Sequence, residues 1–136
     1  MSDAALRLRQ AIHARLTSDA ELVALLGGPR VHDEAPRAQP GPHVLFESWS
    51  AEDASTPDCR MTRHEFDLAL YAGDTAASAK GLAIAARIEA LLHDALLGLT
   101  GHRLVFLYWR SSLVGRDGQT RNPRLLISFS ALTETS

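Results

Sequence analysis

From Thr62 to Tyr71 the chain alternates. Phe66, Leu68 and Leu70 recur at every second position, while Arg63, Glu65 and Asp67 fill the positions between them. Successive side chains of a strand point to opposite faces, so this segment predicts a strand with one buried and one charged side. Strands exposed on one face belong to antiparallel sheets, because parallel sheets are covered on both. Gly73-Asp74 then predicts a turn into a helix from Asp74 or Thr75 to Leu97. Its core face is Ile84, Ile88, Leu91, Leu92 and Ala95; Lys80, Arg87 and Asp94 lie on the far side, and Gly98 and Gly101 end it.

The N-terminal third predicts two more helices. Ser2 or Asp3 caps the first, which runs to about Leu16 with Ala5, Leu8, Ile12 and Leu16 as its apolar stripe. Ser18-Asp19-Ala20-Glu21 has the spacing of a capping box ahead of a short apolar run, and Gly27-Gly28-Pro29 stops it. Val31 begins a brief extended piece. Pro36, Pro40, Gly41 and Pro42 forbid regular structure over most of the following residues. His43 to Trp49 is β-rich with an apolar middle and predicts a more central strand, followed by a long polar connection from Ser50 to Met61.

At the C-terminus, His102 to Gly115 and Asn122 to Thr133 predict two strands joined by the Asp117-Gly118 turn signal. A globular chain of this size has a radius of gyration of roughly 14 Å, whereas thirteen extended residues span roughly 43 Å. The hairpin therefore crosses the whole body or reaches beyond it. The order of elements predicts an α+β fold: a mainly antiparallel sheet with helices packed on one face and a long C-terminal β-hairpin.

Composition adds bounds to this picture. At 136 residues and 46% hydrophobic, residues 1–136 form one domain able to bury a core without staples. A formal net charge of −2 gives no global attraction to nucleic acid or anionic lipid, so no direct nucleic-acid recognition is expected. Neither a secretory h-region nor a membrane-length apolar run is present, which predicts a soluble chain made in the cytosol with no membrane partner. Cys59, the single cysteine, has no internal disulfide partner.

Little in the sequence converges on chemistry. The six histidines, His13, His32, His43, His64, His93 and His102, lack metal-ligand spacing, and they read as surface or element-end residues. No metal site and no cofactor are expected. Cys59, His64 and Asp67 supply the residue types of a nucleophilic triad, but His64 and Asp67 are three apart on one strand and point to opposite faces. A small cytosolic enzyme using Cys59 or a histidine is one rival reading. The other is a sheet that binds single-stranded RNA through Phe106, Tyr108 and Trp109; few basic residues interleave these aromatics, and Trp109 faces away from the other two. No catalytic residues are expected.

The order of short motifs is more informative. Leu8 to Thr17 with Ala20-Glu21-Leu22, Gly27 to Asp33, Pro42 to Phe46, Thr56-Pro57-Asp58-Cys59, Arg63 to Leu68, the Ala-rich helix and the closing hairpin follow one another over nearly the full chain. In this order the chain resembles the tail terminator, or tail completion, family of long-tailed phages and gene transfer agents. The resemblance implies a structural protein that forms a ring, commonly a hexamer, in a particle assembled in the bacterial cytoplasm. That ring caps the tail tube, stops its polymerisation and docks the head, with the major tail tube protein and a head-tail connector as partners. Exposure and charge select Glu52, Asp53 and Asp58 in the polar connection, and Arg116, Asp117, Arg121 and Arg124 at the hairpin tip, as binding residues.

Overall fold

Alternation in the sequence becomes a six-stranded sheet because each strand finds a neighbour that repeats its buried positions. The computed structural model describes residues 3–33, 41–71, 79–116 and 123–135, with the backbone alone at 116 and 123. The predicted Ser2 cap, the Pro36–Pro40 stretch and the Gly73-Asp74 turn lie outside these residues. The elements in chain order are α1 (Asp3–Thr17), α2 (Ala20–Leu26), β1 (Val31–His32), β2 (His43–Asp53) and β3 (Met61–Tyr71). They continue with α3 (Ala79–Leu92), β4 (Gly98–Leu99), β5 (His102–Arg116) and β6 (Pro123–Thr135). The strand order is β1-β2-β3-β6-β5-β4. Only the β1–β2 pairing is parallel. This is the predicted α+β fold.

His64, Phe66, Leu68 and Leu70 of β3 are buried, as the alternation requires. Their partners across the ladder, Ala131, Phe129, Ile127 and Leu125 of β6, are buried with them. Leu8, Ile12 and Leu16 of α1, Leu22 and Leu26 of α2, and Ile84, Ile88 and Leu92 of α3 close the core over that face. A row of aromatics crosses four strands at one level: Trp49, Phe66, Phe129 and Trp109 are successive register partners. Trp49 stacks on Phe66 at 4.4 Å between ring centroids, and Phe66 on Phe129 at 5.3 Å. Stacked rings add about 0.5–1.5 kcal/mol per pair beyond the area they bury.

Several boundaries differ from the sequence reading. Asp19, not Ser18, caps α2: its carboxylate accepts the Leu22 N–H at 2.9 Å. Glu21 does not close a capping box; it pairs with Arg87 of α3 at 2.9 Å. Helix α3 stops at Leu92 and not at Leu97. Asp94 takes a left-handed conformation, φ 57°, and gives its N–H to the Leu107 carbonyl of β5 at 2.7 Å, so the backbone leaves the helix to join the sheet edge. Leu97 lies beyond the helix and still packs, partly buried, against the core. Gly98 sits in β4, and Gly101, φ 76°, makes the turn into β5.

The polar stretch after Trp49 is not a long connection. Strand β2 continues to Asp53, and only residues 54–60 link it to β3, closed by a mutual Thr56–Cys59 bridge around Pro57-Asp58. The C-terminal hairpin takes the crossing alternative, because β6 lies between β3 and β5 along its length.

Candidate interaction surface

The charged face of the sheet is a set of cross-strand pairs. Glu52 of β2 faces Arg63 of β3 in register and binds it at 3.1 Å. Asp67 accepts hydrogen bonds from Ser48 at 2.9 Å and Ser128 at 2.5 Å, which ties β2, β3 and β6. Glu65 pairs with Arg110 of β5 at 3.5 Å, and Arg103 pairs with Glu134 at 3.1 Å. Exposed pairs of this kind contribute about 0–1 kcal/mol each, since water screens them. Their effect is a polar surface with its charges fixed in place.

The predicted binding residues separate into two groups at opposite ends of the sheet. Glu52 and Asp53 stand on the last residues of β2, not in a loop, and Asp58 is exposed at the tip of the following turn. Asp53 accepts from the N–H and hydroxyl of Ser55, which hold its carboxyl below the usual range. At the other end Arg124 of β6 reaches Glu47 at 2.7 Å and lies 3.5 Å from the Tyr71 hydroxyl, which itself donates to Glu47 at 3.4 Å. Arg124 is thus partly buried in a clamp over β2, β3 and β6. The Arg116 side chain, Asp117 and Arg121 lie outside the described residues. The two ends are about 33 Å apart, the span of the ten steps from Met61↔Glu134 to Tyr71↔Arg124.

The enzymatic constellation does not assemble. His64 is fully buried on the helix side of β3, and Asp67 binds its serines on the charged side. Desolvation, with the Glu134 carboxylate beside it, pushes the Cys59 thiol up, away from the thiolate that a nucleophile needs. His64 also departs from the reading of surface histidines. The Trp49 indole can only donate, so Nδ1 of His64 accepts from it at 3.2 Å; Nε2 then carries the proton and donates to Thr133 Oγ1 at 2.9 Å. Burial lowers its pKa to about 4, which leaves a neutral, satisfied core histidine. The period-2 alternation puts it on the inward face, but a polar residue there looks like an exception until its partners are known. Among the described residues, no group of three or more His, Cys, Asp or Glu is arranged to hold a metal, and no helix is long and apolar enough to cross a membrane.

Polar pairs fixed across the sheet give the chain an ordered, charged surface suited to contact with other proteins. Residues 10–134 match the family model described as Tail completion protein gp17, and the chain belongs to that family. A solved structure described as the virion of a native gene transfer agent particle contains a similar chain. The identity is 29%, with a TM-score of 0.86 over 98% of this chain and 99% of that one. A second solved structure, 16% identical with a TM-score of 0.58 over 99% of this chain and 97% of that one, shares the fold. No curated protein matches. The chain is a phage-type structural tail protein of the tail completion family, and not an enzyme.

Proposed function

We propose that this chain is a tail terminator: a ring, of six copies by the family resemblance, that caps the tail tube, ends its polymerisation and presents the docking surface for the head. The observation that carries this reading is the near full-length likeness to a chain of a gene transfer agent virion, within a family described by tail completion. A ring is the closed form of a heterologous contact repeated about an axis. A subunit suited to it carries different surfaces at its two ends, as this one does with Glu52, Asp53 and Asp58 at one end of the sheet and Arg124 at the other.

In this reading the ring is built in the bacterial cytoplasm, on the end of the major tail tube protein, and then meets the head-tail connector. Arg116, Asp117, Arg121 and Arg124, together with Glu52, Asp53 and Asp58, contact neighbouring copies or the tube. Replacing Arg116 and Arg121 together by Glu leaves the monomer folded and abolishes tail completion, read as unjoined heads and tails of irregular length by electron microscopy. Joined particles with normal tails from that variant would count against the reading.

A further inference from the structure

The sheet has two bare edges, and they differ in character. On the β5 side, β4 covers His102 and Arg103, Asp94 N–H takes the Leu107 carbonyl, and the Trp109 N–H donates to His93 Nδ1 at 3.0 Å. There the cover ends. A bulge between Trp109 and Ser111 follows, and from Arg110 to Arg116 no strand among the described residues lies outside β5. Leu113, 65% exposed, and Val114, 46% exposed, sit at this bare stretch on alternate faces. On the opposite side of the sheet, β1 pairs with Val44 and Leu45 alone, so β2 from Glu47 to Asp53 is uncovered by any described strand.

A strand edge with free N–H and C=O groups is a template for another strand, and monomeric proteins shorten, bend or cover such edges. This fold covers the first half of β5 and leaves the second half open with two large apolar side chains exposed. The two bare stretches match in length, at seven residues each. They also match in charge: Glu47, Glu52 and Asp53 lie in one stretch with no base, and Arg110 and Arg116 lie in the other with no acid. The same sheet therefore carries an acidic stretch and a basic stretch on opposite edges, with Glu47, Glu52 and Arg110 also paired inside the chain to Arg124, Arg63 and Glu65.

The geometry points to edge pairing between copies of this chain, with residues 110–116 of β5 in one copy adding to residues 47–53 of β2 in the next, so that the sheets of a ring run into one another. Backbone hydrogen bonds supply the contact and the opposite charges select the heterologous pairing over β5 with β5 or β2 with β2. Leu113 and Val114 are covered on assembly. The inference rests on the ring reading above.

Ser50 stands at the middle of its stretch and Ser111 two residues before the middle of the other, both exposed on the charged face. In a Cys59→Ser background, Ser50→Cys and Ser111→Cys in one chain, treated with a short bis-maleimide in purified tails, give a ladder on a denaturing gel up to the full copy number. Either substitution alone gives monomer. Leu113→Glu, at an exposed position, keeps the far-UV circular dichroism and melting of the monomer and lowers the ring fraction ten-fold or more. Rings seen in the same tails by native mass spectrometry without a ladder, cross-linking by Ser111→Cys alone, or full assembly by Leu113→Glu would each overturn edge pairing while leaving the ring intact. A single copy per tail would remove both readings.

Discussion

At the scale of single residues the buried His64 is the most consequential polar group. Its neutral form is held by a donor, Trp49, that an imidazolium cannot accept from, and by burial among core residues. The folded-state pKa of about 4 lies below the ordinary 6.5, so the unfolded chain binds the proton first. The stability this group supports is complete above pH 6.5, falls as the pH drops, and is gone by about pH 4. The gap corresponds to a loss on the order of 3 kcal/mol. His64→Leu should therefore melt lower than the parent at pH 8 and show a flatter dependence of melting temperature between pH 6.5 and 4. A parallel decline in both proteins across that window would sink the assignment.

Two element boundaries carry comparable leverage. Asp19 caps α2 and receives Arg87 of α3 through two hydrogen bonds of 2.9 and 2.7 Å, so one carboxylate both starts a helix and pins it to its neighbour. The Arg87 guanidinium holds the Asp19 carboxyl down to about 2, and its contribution is present above the ordinary 3.8 and lost as the pH falls toward 2. Asp19→Ala should cost about 1–2 kcal/mol in urea denaturation at pH 7, as loss of an N-cap does. Asp94 marks the other boundary, where the chain turns from α3 to the β5 edge with positive φ. Aspartate tolerates that conformation and a β-branched residue does not. Asp94→Val should lower stability by about 1–2 kcal/mol and speed amide exchange at Asp94, whose N–H closes the edge of β5. Unchanged exchange there would show that the cover does not depend on this turn.

Over the whole molecule, what could be read from the chain depended on how local the deciding interaction is. The β3 alternation and the α1 stripe predict their elements because one face meets one core. The second half of β2 reads as a connection because Ser50, Glu52 and Asp53 are poor strand formers, and it is a strand because β3 pairs with it through Asp53↔Thr62. The end of α3 was hidden for a similar reason: Leu96 and Leu97 extend the apolar run, but the Leu107 carbonyl attracts the backbone away. The proposed contact residues follow from expected exposure and charge. Charge cannot tell that Arg124 is held by Glu47 and Tyr71, or that the two groups lie at opposite ends of the sheet.

That separation sets how the subunit bears a mechanical load. Eleven register pairs of the β3–β6 ladder run between the two ends, with their hydrogen bonds perpendicular to the strands. A pull from end to end slides these strands past each other and strains all the rungs together instead of peeling them one by one. The ladder resists load best along the strand axis, the direction that joins the two groups of proposed contact residues.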